Sequence, residues 1–368
     1  MKKKEKLLIV GSFPPKYNSV FGGIEKSSSI LIKSKFLKHF KIFKFDSSQI
    51  SNPPPKFFIR FLLSIIRLIK YIIYLFIYRP KKVLIFCSDG ASALEKGFMI
   101  ILSKMFFIKS LIFPRAGNLI NQTKKNKLFK NIIKYLFSKA DFFLCQGPVW
   151  YNYAINDLRI NKQKVDIVNN WTASDELLKV GKNRIILKKK EPTKIIFIGW
   201  LEKEKGINEL LEAFYNIQIK YPVEINIVGD GSLRKQIESY REINNLQKKV
   251  IISGWLNEHK VISNLEKSDI FILPSWQEGM PNSLIESLAS GLPSIVTSVG
   301  SIPDYIINNK TGLLIESKNK LDIQNALLKL LKNFNLRKKL AKNGTILAEN
   351  SFSEAKEIGR LNSIIHKI

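Results

Sequence analysis

Two glutamates eight positions apart, Glu278 and Glu286, are the residues whose types and spacing most directly suggest chemistry. Glu278 follows the apolar run IFIL and precedes Met-Pro-Asn, so we expect it in a loop at the carboxyl end of a strand, where ligands of open α/β sheets bind. Pro281 suits the first turn of a helix and Gly291 its end, which places Glu286 one to two turns inside that helix. Eight positions at about 100° each leave an offset of about 80°, so a ligand that lies along the helix start could meet one carboxylate at each end.

The helix start between these carboxylates would present backbone N–H groups and the positive end of the helix dipole to an anion. A carboxylate can accept two hydrogen bonds from a vicinal diol. The arrangement suits a diphosphate with a hydroxyl-rich group on either side, which is the layout of a nucleoside diphosphate sugar. Spacing alone supports a second interpretation about equally well, in which Glu278 is an acid favoured at a helix start and Glu286 is a surface residue.

The elements that must position these residues follow an alternating pattern of apolar strand-like runs and helical segments, which predicts parallel sheets built from βαβ units. In the first half we expect strands at 7–10, 41–45, 83–87, 111–113, 142–145 and 165–168. In the second half we expect them at 194–198, 224–228, 250–252, 270–273, 294–297 and 313–315. Each half is therefore predicted to form one doubly wound sheet.

Each half opens with a strand, a glycine-bearing loop and a helix. In the first half, Gly22 and Gly23 precede the helix; in the second, Gly199 follows the strand and Lys205 comes just before a glycine and a helix. Paired glycines allow a backbone to approach a ligand closely, and a helix start attracts phosphate. Taken alone, a Gly-Gly pair is more often a tight turn, and a single lysine is more often solvated.

The chain carries a formal charge of +30, unevenly distributed. Residues 1–190 hold 37 Lys and Arg against 10 Asp and Glu, whereas residues 191–368 hold 23 against 20. The first half is thus predicted to face an anionic partner. A nucleic-acid-binding module is a poor explanation, because the chain shows no recognisable nucleic-acid-binding signature.

Residues 56–79 form a long apolar segment interrupted by Arg60, Arg67 and Lys70. The interruptions make it a poor membrane-spanning helix. On a helix, the basic residues and the tyrosines share one side, opposite a wide Phe/Ile/Leu face. The segment is either a domain helix that packs its apolar face on a sheet or a surface helix on anionic lipid, and both can hold together.

Length and composition indicate a globular chain of two domains. We place the first domain at residues 1–180, the second at 181–346, and a hinge within 177–193; a final helix at 347–368 would return to the first domain. Cys87 and Cys145 lie in apolar runs and are expected to be buried, which fits a reducing, cytoplasmic setting. The opening MKKKEKLLIVG is too short in apolar residues for a secretory signal.

The segment around Glu278 and Glu286 resembles the E-x7-E motif of retaining GT-B glycosyltransferases of family 4, the glycosyl transferases group 1. IGWLEKEKGINELLEAF, VGDGSLRKQI, GLPSIVTSVGSIPDYI and TGLLI resemble further motifs of that family, in order, over roughly 150 residues. The resemblance implies an α/β GT-B fold with two Rossmann-like doubly wound parallel-sheet domains facing across a cleft. The first domain would bind the acceptor and the second the nucleotide-sugar donor.

The resemblance also implies roles for individual residues. Glu286 would bind the donor ribose, Glu278 would contact the transferred sugar, and Lys205 would contact the leaving diphosphate. We therefore take Glu278 and Lys205 as the catalytic candidates. The donor-binding candidates are the residues of the glycine loops and of the E-x7-E segment: Gly22, Gly23, Gly199, Trp200, Lys205, Gly229, Gly231, Gly254, Trp255, Gly279, Met280, Pro281, Asn282, Ser283, Leu284 and Glu286.

This chain departs from the family pattern at two places. Trp200 stands where the family usually has an arginine, so the diphosphate would depend on Lys205 and the helix start. The three histidines, His39, His259 and His366, do not fall where many members carry an acceptor-domain histidine. The matching loop is FPRAGN, and Arg115 together with Asp89 is the candidate pair on the acceptor side.

The resemblance implies retaining transfer of a sugar to a glycan or lipid-linked acceptor in bacterial surface polysaccharide biosynthesis, such as lipopolysaccharide, O-antigen or capsule. No cofactor or metal is expected, since the chain contains no Asp-x-Asp. The expected location is the cytoplasm, at the inner face of the membrane, with an anionic membrane surface as a partner. The alternatives are another GT-B enzyme such as a nucleotide-sugar epimerase or a sugar phosphorylase, a family member reduced to a binding role and, far less favoured, a basic nucleic-acid-binding protein.

Overall fold

The computed structural model describes residues 4–13, 22–48, 55–115, 117–188 and 191–368. Residues 14–21 of the first glycine-bearing loop and Ala116 of FPRAGN therefore lie outside the described residues. Within the described ranges the strands, in chain order, are β1 Glu5–Gly11, β2 Phe40–Asp46, β3 Lys82–Cys87, β4 Lys109–Pro114, β5 Phe142–Cys145, β6 Val165–Ile167, β7 Thr193–Ile198, β8 Val223–Val228, β9 Val250–Gly254, β10 Ile270–Leu273, β11 Ser294–Thr297 and β12 Leu313–Ile315.

Helices alternate with these strands. In chain order they are α1 Gly23–Lys33, α2 Phe57–Tyr78, α3 Gly90–Met105, α4 Asn118–Lys125, α5 Lys127–Ser138, α6 Pro148–Asn152, α7 Asp175–Asn183, α8 Ile207–Gln218, α9 Arg234–Ile243, α10 Glu258–Lys267, α11 Asn282–Ala289, α12 Ile302–Tyr305, α13 Lys320–Lys332, α14 Phe334–Phe352 and α15 Glu354–Lys367. Short 3₁₀ turns lie at Lys35–Leu37, Lys162–Lys164 and Lys203–Lys205, and a π-helical turn at Tyr153–Asp157.

The strands form two parallel six-stranded sheets, ordered β2-β1-β3-β4-β5-β6 and β12-β11-β10-β7-β8-β9. Every strand expected from the sequence is present, and the prediction of two Rossmann-like doubly wound domains is confirmed. Most of the strands could be predicted because they are short apolar runs buried on both faces between helices, as in β1, β3, β10 and β11. The edge strand β2 is only partly buried and was predicted from its apolar residues.

The chain divides into two compact units. Unit 1 comprises residues 1–171 and 355–368, and unit 2 comprises residues 172–354. The boundary proposed from the sequence, between residues 180 and 181, falls inside α7, whose buried Leu177 and Leu178 belong to the unit 2 core. The charged stretch after α7 resembles a linker in composition, but the chain passes between units at Trp171 instead.

Unit 1 has an apolar core on each face of its sheet. One face is covered by helices that include α3 and α5, and the other by α1 and α15. Ile358, Leu361 and Ile365 of α15 pack in that second core, and Lys82 Nζ donates to Ile365 O at 2.7 Å. The final helix proposed at 347–368 is thus two helices in the structure, and only the second, α15, belongs to unit 1.

The two cysteines are buried and free, as expected. Cys87 ends β3 and Cys145 ends β5, and burial raises the pKa of both thiols. A thiol held in its neutral form is a poor nucleophile, so both side chains act as small apolar groups of the core.

Candidate functional site

The donor-site residues proposed within unit 2 gather at one edge of its sheet. Parallel neighbouring strands end at the same edge, and β10, β7, β8 and β9 are consecutive neighbours. The loops that follow these strands carry the proposed residues, from Gly199 after β7 to the Glu278 loop after β10. This carboxyl edge is where open α/β sheets bind ligands.

Lys205 and Glu278 form an ion pair at this edge. Lys205 Nζ lies 2.5 Å from Glu278 Oε1, and the two side chains are 23% and 10% exposed. Lys205 ends a 3₁₀ turn just before α8, while Glu278 lies in the loop between β10 and α11. The structure thus brings together the two residues that were proposed as catalytic, which are 73 positions apart in the chain.

Further hydrogen bonds hold the Glu278 loop in place. Ser275 Oγ donates to Glu278 Oε1 at 2.7 Å, and Thr297 Oγ1 donates to Ser275 O at 2.6 Å. Trp276 N donates to Glu204 O at 2.7 Å, which ties the loop after β10 to the turn that carries Lys205. The backbone that carries Glu278 is therefore held by hydrogen bonds to the turn before α8 and to the end of β11.

Two glycines allow these loops to approach each other. Gly206 has φ +67°, and a Cβ there would lie 2.1 Å from Pro274 O. Gly300 has φ +61°, and a Cβ there would lie 2.0 Å from Glu278 O. Both the left-handed backbone and the contact distance exclude a larger side chain without rearrangement.

Helix α11 begins and ends close to the positions expected from its proline and glycine. Pro281 is the N-cap, α11 spans Asn282–Ala289, and Gly291 follows with φ +72°. Glu286 lies in the second turn and is only 3% exposed, so it is not a surface residue. This burial disfavours the surface interpretation of its carboxylate.

The other residues proposed in this segment differ in what they can offer a ligand. The side chains of Met280, Pro281 and Leu284 are buried, whereas Asn282 and Ser283 are partly exposed. Pro281 has no N–H, so anion binding at the helix start would depend on the N–H groups of residues 282–284, which have no acceptor within the helix.

The loops after β7, β8 and β9 are packed against one another through glycines. Gly229 has φ +138°, and a Cβ there would lie 1.8 Å from Gly199 O; its N–H donates to Gly254 O at 2.9 Å. At Gly231 a Cβ would lie 2.6 Å from Leu201 O. Packing between the loops is sufficient to explain glycine at positions 229 and 231, so these glycines are not by themselves evidence for a ligand.

Trp200 and Trp255 stand together at the same edge. Their ring centroids are 4.7 Å apart with an interplanar angle of 77°, and Trp255 is 40% exposed. Trp200 occupies the position where the family usually has an arginine, and here its ring packs edge to face on Trp255. The pair is an aromatic surface beside the glycine loops.

Sequence reasoning missed Trp276 and its surroundings. Its Nε1 donates to Glu209 Oε1 at 3.1 Å, and the Nζ atoms of Lys318 and Lys203 lie 4.5 and 5.6 Å from its ring centroid. Ser275 and Trp276 both stand in the motif PSWQEG, so a closer reading of that loop could have selected them. The contact of Lys318 with Trp276 could not be predicted from the sequence around either residue.

In unit 1 the proposed residues also lie at a carboxyl edge. Gly22 caps α1, which begins at Gly23, and a Cβ at Gly22 would meet nothing within 4 Å. Asp89 precedes α3 just after β3, and Arg115 comes directly after β4. Since β3 and β4 are neighbours, the proposed acceptor-side pair shares one edge.

Arg115 lies in an aromatic surrounding. Its guanidinium carbon is 4.8 Å from the ring centroids of both Phe113 and Trp171 and 5.9 Å from that of Phe86. Nη2 donates to Ser27 Oγ at 2.6 Å. Burial removes water from the charged group and lowers the pKa of Arg115 to about 9.

His39 and His366 lie at the amino end of β2, and His259 follows β9 on the carboxyl side of the unit 2 sheet, so none of the three lies at the carboxyl edge of unit 1. His39 directly precedes β2, His259 lies in the first turn of α10, and His366 stacks on Phe40 with centroids 5.0 Å apart. A cavity of about 340 Å³ beside Pro192, Tyr221 and Lys249 lies at the opposite, amino edge of the unit 2 sheet. Neither feature belongs to the candidate site.

Comparisons with known proteins agree with the fold and with the unit 2 motifs. Residues 181–346 match the family model "Glycosyl transferases group 1", which agrees with the resemblance to that group over this region. Among solved structures, the chain is similar to sucrose-phosphate synthase from Thermosynechococcus elongatus, with a TM-score of 0.76, 16% identity and 99% of each chain covered. It is also similar to HepE of Anabaena in complex with UDP, with a TM-score of 0.72, 11% identity and coverage of 99% of this chain and 100% of that one. These likenesses define the fold as GT-B.

Curated relatives match part of the chain. An uncharacterised glycosyltransferase of Methanocaldococcus jannaschii is 24% identical over 254 residues, which cover 66% of this chain and 64% of the relative. A UDP-Gal:alpha-D-GlcNAc-diphosphoundecaprenol alpha-1,3-galactosyltransferase of Escherichia coli is 27% identical over 226 residues, which cover 57% of this chain and 56% of the relative. The chain thus spans between half and two thirds of the length of these relatives.

Proposed function

We propose that this chain is a retaining glycosyltransferase that moves a sugar from a nucleoside diphosphate sugar to a glycan or lipid-diphosphate-linked acceptor in bacterial surface polysaccharide biosynthesis. The observation that carries the proposal is the Lys205–Glu278 pair. It lies at the carboxyl edge of a sheet, next to the start of a helix that holds a second, buried carboxylate. The family match over residues 181–346 and the name of the Escherichia coli relative support it.

In the proposed reaction, Lys205 and the N–H groups at the start of α11 bind the donor diphosphate, and Glu286 accepts hydrogen bonds from the ribose hydroxyls. Glu278 contacts the transferred sugar and orients Lys205 through their ion pair. The exposed part of Trp255 offers an aromatic surface to the base.

The chemical step proposed is a front-face displacement. The bond between the anomeric carbon and the phosphate oxygen breaks as the acceptor oxygen bonds to the same face of that carbon. The acceptor proton passes to the departing phosphate oxygen, so the step does not depend on a histidine. The share of the protein is positioning and stabilisation of the leaving charge. We propose that Lys205 and the helix start provide this stabilisation without a metal ion.

The donor part of the proposal can be tested by thermal unfolding with a panel of UDP-, GDP- and ADP-sugars. We expect one nucleotide class to raise the melting temperature in a saturable way. Glu286→Gln should weaken this response about tenfold through loss of a charge-assisted hydrogen bond, while the exposed Glu242→Gln should not. No response to any nucleotide sugar would contradict the proposal. In a transfer assay, free nucleotide should accumulate only when an acceptor is present, which separates a transferase from an epimerase.

We also propose that unit 1 binds an anionic membrane surface through α2. By length and composition this helix is apolar enough to cross a membrane. Its Arg67 pairs with Glu95 at 2.7 Å, and its Tyr71 hydroxyl lies 2.7 Å from Ser103 Oγ. The side of the helix with Arg67 and the tyrosines therefore packs on unit 1. This inward orientation favours a helix that lies on the membrane rather than one that crosses it.

The opposite side of α2 is apolar and faces outward. Its exposed residues are Phe57, Phe58, Ile59, Phe61, Leu62, Ile65, Ile66, Ile69, Ile72, Ile73, Phe76 and Ile77. Of the two interpretations left open by the sequence, packing of this face on the sheet is wrong. A contiguous exposed apolar face of this length indicates an interaction surface. Arg60 and Lys70 on the same helix and the excess of Lys and Arg in this half of the chain complement anionic lipid headgroups.

Liposome flotation tests this surface. We expect recovery with anionic vesicles to exceed recovery with neutral vesicles, and the double variant Phe58→Glu with Ile66→Glu to lose binding because it places charge in the apolar face. Ile219→Glu, on an exposed isoleucine of unit 2, is the matched control. Equal recovery with neutral and anionic vesicles would contradict the anionic preference, and unchanged recovery of the double variant would exclude α2 as the surface.

A further inference from the structure

Two buried N–H donors of unit 1 have no hydrogen-bond partner among the described residues: Arg115 Nη1 and Gln146 Nε2. Gln146 is only 1% exposed. Nearly all buried donors in proteins are paired, so two orphaned donors need an explanation. Their positions in the fold supply one.

Arg115 and Gln146 follow neighbouring strands. Arg115 comes directly after β4 and Gln146 directly after β5, and these strands pair with Ile112 opposite Phe143. Three further residues in the same register place Arg115 opposite Gln146. Side chains alternate along a strand, so both follow the face of Phe113 and Leu144, which pack in one core with Trp171.

The charge of Arg115 is also uncompensated. Within the described part of the chain, Arg115 forms no ion pair, and Nη2 bonds only the neutral Ser27 hydroxyl. The partly exposed Arg184 of unit 2 differs, because it donates through Nε, Nη1 and Nη2 to the backbone oxygens of Ser290, Ser268 and Leu265. A buried cation normally requires such acceptors or a counter-ion.

We propose that Arg115 and Gln146 form an oxyanion-binding subsite in unit 1, which takes a phosphate or carboxylate group of the acceptor. Arg115 Nη1 and Gln146 Nε2 donate to the oxyanion, while Ser27 and the rings of Phe113 and Trp171 hold the guanidinium plane in place. The proposal rests on the proposed transferase function and adds the chemical class of its acceptor. A lipid-linked acceptor would supply phosphate, and an acidic sugar would supply carboxylate.

The test is a thermal-unfolding titration of the full chain with inorganic phosphate, pyrophosphate and acetate at constant ionic strength, without nucleotide. We expect a saturable rise in melting temperature for the wild type. The part of the response that Arg115→Met loses belongs to the subsite, because the diphosphate site proposed at Lys205 keeps its response in that variant. A lost response to phosphate or pyrophosphate assigns the phosphate source, and a lost response to acetate alone assigns the carboxylate. Arg115→Met should weaken the response at least tenfold and Gln146→Leu a few-fold. The exposed Lys162→Met, which removes the same charge from unit 1, should respond as the wild type does.

Equal responses of the wild type and Arg115→Met would overturn the subsite, as would a wild type that responds to none of the three anions. If Arg115→Met does not fold, the test depends on Gln146→Leu, which removes one donor and leaves the charge in place. An unchanged response of Gln146→Leu would then overturn the subsite. The titration contains no donor sugar. Its failure is therefore distinct from failure of the transferase proposal, which would appear as absent nucleotide-sugar binding in unit 2.

Discussion

The two sheets each carry a cation at their carboxyl edge, and the two cations are held differently. Lys205 of unit 2 is paired with Glu278, which Ser275 also supports. Arg115 of unit 1 is surrounded by aromatic rings and bonds one neutral hydroxyl. Lys205 is thus paired with a carboxylate before any ligand binds, whereas Arg115 forms no ion pair among the described residues.

This difference shows what each edge can gain from an anion. Glu278 already holds the Lys205 side chain in position before a diphosphate binds. An incoming diphosphate must then share this lysine with the carboxylate. At Arg115 an anion would compensate a charge that burial destabilises. The predictions below test this contrast, from the largest expected effect to the smallest.

Removal of the paired cation should have the largest effect. Lys205→Ala is expected to lower the turnover number about 100- to 1,000-fold, because the leaving diphosphate loses its cation and Glu278 loses its partner. The turnover number is measured from initial rates at saturating donor and acceptor. Circular dichroism checks that the variant folds. Lys203→Ala, in the same turn, should change the rate about threefold or less. A loss below about tenfold for Lys205→Ala would remove the pair from the mechanism.

The two partly exposed arginines, Arg115 and Arg184, should differ in their effect on stability. Arg184→Met is expected to lower the free energy of unfolding by about 3 kcal/mol, because three backbone oxygens lose a charged donor. Arg115→Met should change it by less than about 1 kcal/mol, because the variant removes an unpaired charge and keeps the apolar contacts. Urea unfolding compares the two variants. The reverse order would show that Arg115 is compensated in the native chain.

The close approach at Gly300 should be the next most sensitive feature. Gly300→Ala is expected to cost about 2 kcal/mol, because a Cβ at φ +61° meets the carbonyl of Glu278. Gly22→Ala, where the backbone is extended and the space is open, should change the free energy of unfolding by about 0.5 kcal/mol or less. Chemical denaturation measures both, and equal losses would mean that the packing around Gly300 relaxes freely.

The smallest expected effect concerns the support of Glu278. Ser275→Ala removes one hydrogen bond to its carboxylate and is expected to lower transfer about threefold to tenfold, equivalent to about 1 kcal/mol. The exposed Ser298→Ala serves as the control. If Ser275→Ala retains the full rate, the ion pair with Lys205 positions Glu278 without help.

Local signals in the sequence were enough to predict the strands and α11. The central strands are buried apolar runs, and Pro281 and Gly291 mark the ends of the helix by their own backbone preferences. The Lys205–Glu278 contact could not be read in this way, because the two residues are 73 positions apart and meet only when β7 and β10 pair. The family resemblance selected both residues but did not indicate that they touch.

The orientation of α2 could not be predicted from the sequence either. Helical periodicity shows which residues share a side, and it grouped Arg67 with the tyrosines correctly. It does not show which side turns inward. That choice depends on Glu95 and Ser103 of α3, which supply buried partners for Arg67 and Tyr71. The domain boundary failed for a similar reason, because α7 is polar in composition and yet packs in unit 2.

The bridge between Ala173 and Ser353 joins the two segments at which the chain enters and leaves unit 2. Ala173 N donates to Phe352 O at 3.2 Å, and Glu354 N donates to Ala173 O at 3.2 Å. Unit 2 is therefore an insertion whose two ends are held side by side, which suits it to expression as a fragment of residues 172–354. Removal of residues 355–368 would instead damage unit 1, because α15 completes a core that is otherwise built from the first 171 residues. A tag or truncation at the end of the chain therefore affects unit 1, although most of unit 1 comes from the beginning of the chain.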